Sequence, residues 1–242
     1  MKLNYVVTGS WRSGTVYMAR LLTSLGIPCG HEMIFDYQGI QWALRRLAGE
    51  HPVQLSWASR STFEQGRFHE VDKWLPDTSG VEAESSYMVA PYLSEPCLEN
   101  AKVIHVVRDP IKVVHSFCNY INYFTKKDAS NAYEQFIYRI LPEMRQEMPQ
   151  YDRASLFWVM WNEMIESHKP DLFYRMEDDI KVVLEFLGKE GPHFNDNTIN
   201  TYRKPTAERF YPDKIQSKEI FQRFAALAKR YGYALRSEYL LM

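Results

Sequence analysis

Leu3-Asn4-Tyr5-Val6-Val7-Thr8-Gly9-Ser10-Trp11-Arg12-Ser13-Gly14-Thr15-Val16-Tyr17-Met18 decides the fold. Leu3 to Thr8 reads as a buried strand that Gly9 stops. From Gly14 the apolar period changes, and Val16, Met18, Ala19, Leu21, Leu22 and Leu25 fit a helix ending at Gly26. The unit is strand, tight loop, helix. Such a loop aims backbone N–H groups and the positive end of the helix at one point, which favours an anion. Gly14 lets the backbone approach closely, the Ser13 and Thr15 hydroxyls add donors, and Val16 opens the helix. Gly9 and Gly14 have the spacing of a Walker A loop, but Thr15 follows Gly14 where that pattern has Lys-Ser/Thr. Arg12 offers a cation from inside the loop instead, which counts against an ATPase or a kinase. A plain tight turn with an exposed arginine is the alternative.

Working outward, Val103 to Val107 is a second apolar run, suited to a strand buried on both faces of a parallel sheet. Arg108-Asp109-Pro110 follows, and Pro110 fits the first position of another helix. Arg108 stands at the carboxyl edge of its strand. Ser116 comes 8 residues later, two turns into the helix and about 12 Å along it. A charged fork and a hydroxyl so placed can bracket a phosphate; a solvated arginine at a strand–helix junction is the plainer alternative.

Weaker strands are expected at 80–83 and 172–176, and helices at 36–48, 130–146, 153–168, 178–188 and 216–231. Alternating strands and helices predict an α/β class, a central parallel β-sheet flanked by helices with its ligand at the carboxyl ends of the strands. The length of 242 residues is read as a single domain, 1–242. Residues 49–80 and 190–215 lack periodicity and read as loops over a site.

Composition narrows the function. A formal net charge of −1 lacks the basic excess of a nucleic-acid binder. Cys29, Cys97 and Cys118 form no CxxC pair, so neither a zinc site nor a disulfide framework is indicated, and no metal-ligand spacing is visible. No apolar stretch of about twenty residues exists for a membrane span. The apolar run Tyr5 to Val7 is too short for a signal-peptide core. The expectation is a soluble, cytoplasmic protein.

Arg12-Ser13-Gly14-Thr15 resembles the 5′-phosphosulfate loop of sulfotransferases that use 3′-phosphoadenosine 5′-phosphosulfate (PAPS), with Trp11 where proline is usual. The arginine in the lysine position is closer to the tyrosylprotein and bacterial branches. Arg108-Asp109-Pro110 through Ser116 resembles the family's second motif, at the same offset. The resemblance implies a P-loop-like sulfotransferase fold, PAPS as donor, a hydroxyl-bearing small-molecule or glycan acceptor, and no required metal. It implies that Arg12, Ser13, Gly14, Thr15 and Val16 hold the 5′-phosphosulfate, and that Arg108 and Ser116 bind the 3′-phosphate. Leu172 to Asp179 looks like the family's Tyr-Glu-Asp-Leu segment, with Asp178 or Asp179 capping a helix from near Ile180. The C-terminal glycine-rich lid is poorly matched; Arg203 and Lys204 are the nearest cationic stretch and weaker candidates for phosphate.

Sulfuryl transfer needs a base, and Arg12 would stabilise the leaving phosphate. Cys29-Gly30-His31-Glu32 resembles the Cys-Gly-Glu segment of the tyrosylprotein branch with one residue inserted, which makes Glu32 the first candidate base and His31 the second. Glu82 and Glu84, at the end of an expected strand, are rivals and candidate acceptor contacts. Trp57, in an aperiodic stretch, is a candidate pocket ring, whereas Trp158 and Trp161 read as core, as does His105. Two other readings stay open: a Mg-ATP-dependent kinase with a degenerate loop, and a non-catalytic nucleotide-binding module.

Overall fold

The computed structural model describes residues 2–55, 73–75, 80–119, 124, 132–190 and 212–235. The apolar run Tyr5–Thr8 forms strand β1, and Thr15–Ser24 forms helix α1. β2 (Cys29–His31), α2 (Ile40–Leu47), β3 (Val53–Leu55), β4 (Lys73–Leu75) and β5 (Ala83–Ser85) follow. Next come β6 (Lys102–Val107), α3 (Pro110–Asn119), α4 (Ala132–Ile140) and α5 (Gln150–Ser167). The chain continues through β7 (Leu172–Arg175), α6 (Lys181–Leu187) and α7 (Lys218–Arg230).

The strands lie in the order β4-β3-β2-β5-β1-β6-β7. The five from β2 to β7 are parallel throughout, as expected of a central parallel sheet. β3 and β4 extend one edge in antiparallel fashion. β1 lies between β5 and β6. From it the chain first runs toward β2 and later crosses to β6, so the strand order reverses at β1, where parallel sheets present their ligand crevice.

Alternation along the central strands splits the core in two. Leu3, Val6 and Val107 face a core shared with α3, α4, α5 and α7. Val7, Ile104 and Val106 face a second core formed with α1 and α6. Both valines of the Val6-Val7 pair are fully buried, on opposite faces. Among the described residues no helix is long and apolar enough to cross a membrane.

Several boundaries differ from the sequence expectation by a few residues, and three of the differences have a clear local reason. α2 starts at Ile40 because Asp36 to Gly39 form a turn, with the Gln38 N–H donating to Asp36 Oδ1 at 2.7 Å and Gly39 at φ +89°. α4 stops at Ile140, two residues short of Pro142, whose ring disfavours helix at Leu141. β5 occupies 83–85 and not 80–83, because the buried carboxylate of Glu84 breaks the apolar pattern while belonging to the strand.

Candidate active site

The loop between β1 and α1 lies directly on the neighbouring strand. A Cβ on Gly9 would come 2.0 Å from the Val106 carbonyl oxygen and 2.4 Å from Ser13 Oγ, so only glycine fits. Ser13 N–H closes the turn onto the Ser10 carbonyl at 3.0 Å. Arg12 takes φ +70° and Gly14 φ +113°. At Gly14 an added Cβ would meet Met176 Sδ at 2.7 Å. α1 therefore starts at Thr15 with glycine as its N-cap and no side-chain cap, leaving its first N–H groups for another acceptor. The hydroxyls of Ser10 and Ser13 are buried without a hydrogen-bond partner among the described residues. Buried hydroxyls left so are costly unless a ligand takes them up. The loop is thus chemically fit for a phosphate or sulfate group.

The second motif meets the first. Arg12 Nε donates to Ser116 Oγ at 2.8 Å, across 104 residues of sequence. Pro110 opens α3 as expected, and Asp109 Oδ1 accepts from the Ile111 N–H at 2.8 Å. Arg108 is half-buried at the carboxyl end of β6. Val16 sits in the first turn of α1 with its side chain 41% exposed. On the other flank Thr15 Oγ1 lies 3.2 Å from His31 Nε2, while Ser85 Oγ donates to the Thr15 carbonyl at 2.8 Å. Arg12, Ser13, Thr15, Ser116, His31 and, one residue on, Glu32 therefore fall at one end of the sheet.

Glu32 follows β2 at φ +56°, a left-handed conformation uncommon outside glycine. Its Oε1 is buried without a hydrogen-bond partner among the described residues. Burial, then the charge of Glu84, push its carboxyl up to about 8; the Arg12 guanidinium pulls down and Asp36 pushes up. His31 is lowered to about 4, by burial and then by Arg20. It is neutral at physiological pH, so its 3.7 Å approach to Glu32 Oε1 is no ion pair. Asp36 is tied to Arg46 at 2.7 Å.

The remaining candidates separate. Glu84 is fully buried, and its Oε1 accepts from the N–H groups of Met33, Ile34 and Phe35 at 2.8, 3.0 and 3.4 Å. It faces the protein's own backbone, not an acceptor. Glu82 precedes β5 at the amino end of the sheet, exposed and bonded to Asn4 Nδ2 at 3.2 Å, far from the carboxyl-end cluster. Trp57, Arg203 and Lys204 lie outside the described residues.

Trp158 and Trp161 are fully buried in the core. His105 is a core residue on Asn162 Oδ1 at 2.9 Å, and burial lowers it to about 4. Asp179, not Asp178, caps the turn before α6, accepting from the Lys181 N–H at 2.9 Å. Asp178 pairs with Arg175.

Sequence reasoning missed three contributors: Ser85 beneath the loop, Met176 over Gly14, and Tyr87, whose ring stacks on Trp11 at 5.0 Å and 3°. Trp11 also meets Phe117 and Tyr133, which explains how a large ring can occupy the loop's usual proline position. No local pattern marks these residues, because each acts through a tertiary contact.

This architecture defines a class: an α/β protein whose parallel sheet carries a glycine-bounded strand–loop–helix at the point where strand order reverses. Among the described residues no group of three or more His, Cys, Asp or Glu could hold a metal ion. The family model described as "Sulfotransferase domain" matches residues 5–201, from β1 to beyond α6. The chain therefore belongs to the sulfotransferase domain family, and its chemistry is sulfuryl transfer to a hydroxyl-bearing acceptor. No curated protein matches it.

Proposed function

We propose that the donor is PAPS and that the site works by in-line displacement, with Arg12 and Glu32 as the central groups. The observation that carries this reading is the Arg12–Ser116 hydrogen bond, because it joins a loop fit for the 5′-phosphosulfate to the motif assigned to the 3′-phosphate. Ser13, Gly14, Thr15 and Val16 surround the phosphosulfate with hydroxyls and backbone N–H groups. Arg108 and Ser116 take the 3′-phosphate.

In the reaction, Glu32 as carboxylate takes the proton of the acceptor hydroxyl. The acceptor oxygen forms a bond to sulfur as the bond from sulfur to the bridging phosphate oxygen breaks. The charge left on that phosphate is met by Arg12, a preorganised cation of the kind worth several kcal/mol, about 3 or more, at a transition state. His31, neutral and placed on Thr15, orients the loop and is the lesser base.

The test is calorimetric titration with 3′-phosphoadenosine 5′-phosphate, compared with ATP plus Mg²⁺, on wild type and Arg108→Ala. The reading expects micromolar binding of the bisphosphate, lost in the variant and absent for ATP. Binding of ATP alone would move the assignment to a kinase, and binding of neither would remove the nucleotide site.

A further inference from the structure

The buried Glu84 lies beyond the roles assigned above. It sits in the middle of β5, and Oε1 gathers the N–H groups of three consecutive residues, Met33, Ile34 and Phe35. Such convergence of successive N–H groups is a backbone nest for an anion. The nest follows directly on Glu32, whose φ of +56° is the bend that turns those N–H groups inward. Oε2 packs against the neighbouring strand, where a Cβ on Gly30 would come within 2.2 Å of it. The Glu32 N–H is itself fixed on the Ser85 carbonyl at 3.3 Å. The Glu84 carboxylate thus holds the turn just after the candidate base, while the adjacent Ser85 carbonyl holds Glu32 itself.

We infer that Glu84 is a positioning residue for Glu32: its carboxylate organises the backbone of residues 32–35 and so fixes where the Glu32 carboxyl stands in the transfer site. The inference rests on the reading of Glu32 as the base. It also accounts for the strained backbone at Glu32, since a conformation of this kind persists where the surroundings over-determine it. The groups acting on Glu32 come from every side: Arg12 from the loop, His31 from β2, Asp36 from the turn, Tyr133 from α4 and Glu84 from β5. Glu84 is the one among them that also holds the backbone bearing Glu32.

The test combines a carboxyl titration with kinetics. Glutamate labelled at Cδ with ¹³C, with Glu32 assigned through Glu32→Gln, gives its titration in wild type and in Glu84→Gln. The glutamine keeps an acceptor for the nest and removes the charge, so Glu32 is expected to titrate at lower pH. The rising limb of kcat should move down by the same interval. Glu84→Ala, which empties the nest, should lower kcat by about 10²-fold through misplacement, with the KM for the donor unchanged. Gly30→Ala, which displaces the carboxylate, should behave likewise. An unmoved Glu32 titration in Glu84→Gln, or wild-type kcat in Glu84→Ala, overturns the inference. If Glu84→Ala does not fold, the Glu84→Gln titration decides alone. If wild type performs no transfer, the reading of Glu32 as base fails, while the titration still reports whether Glu84 governs that carboxyl.

Discussion

At the scale of the residue, the proposed base Glu32 shows how burial brings a carboxyl's titration toward neutral pH. Burial and a neighbouring carboxylate hold it at about 8, so its basic form grows as pH rises. The kcat of sulfuryl transfer should therefore climb through pH about 8 and level above it. Glu32→Gln should lower kcat by about 10²-fold or more, with bisphosphate affinity little changed in calorimetry. A flat pH profile in wild type would remove Glu32 from the role.

The same raised carboxyls bear on stability. Glu84 is held at about 7 in the folded chain, against an ordinary value of 4.5, chiefly by burial. A raised carboxyl contributes stability that is fully present below 4.5 and lost as pH rises through the folded value. The melting temperature should fall between pH 4.5 and 7, and Glu84→Gln should flatten that fall. Of these two residues, Glu32 could be singled out as a candidate from the sequence through the Cys29-Gly30-His31-Glu32 segment. Glu84 was visible as a carboxylate near a strand, but its partners are the backbone of 33–35, some fifty positions away, and no spacing rule reaches them.

At the scale of the element, the loop from Gly9 to Thr15 depends on where backbone can touch backbone. Gly9→Ala places a Cβ 2.0 Å from the Val106 carbonyl. Its cost should reach or exceed the roughly 1–3 kcal/mol of ordinary overpacking, measured by denaturant unfolding. Gly26 supplies the control: it sits at φ +80° with nothing within 4 Å of an added Cβ. Gly26→Ala should then cost only the left-handed strain, about 1–2 kcal/mol. Equal losses at the two sites would contradict the close approach of the loop to β6.

This element was the most legible part of the chain. Its strand, loop and helix follow from a change of apolar period at Gly14, and the structure starts α1 one residue later. β2 was less legible, since the three residues Cys29–His31 are too few to display alternation. It becomes a strand because β5 and β3 pair with it.

At the scale of the whole molecule, the sheet separates two cores that the α/β alternation already implied. Leu22 is fully buried on the α1 face, and Leu22→Ala should cost about 2–5 kcal/mol. Ligand should restore part of that. Bisphosphate at a hundredfold excess over its Kd should stabilise the folded chain by about 2.7 kcal/mol, read as a raised melting temperature that vanishes in Arg108→Ala. The strand order was not legible, because the pairing of β1 with both β5 and β6 joins residues roughly eighty and a hundred positions apart. The antiparallel β3–β4 edge was hidden for another reason: it pairs residues about twenty positions apart, but each strand has 3 residues, too few to display alternation.

The bond from Arg12 to Ser116 has a consequence for the thermodynamics of binding at the proposed donor site. A free arginine side chain carries rotamer entropy of about 1.5–2 kcal/mol, which is given up wherever it is first held still. Here folding has already held it. Under the proposed donor site, a nucleotide arriving at the loop would meet a guanidinium whose freedom is spent, so its association would carry little of that entropic penalty. Ser116→Ala returns the freedom to Arg12, and the loss should appear in the calorimeter as a less favourable binding entropy, alongside the enthalpy of a missing phosphate contact.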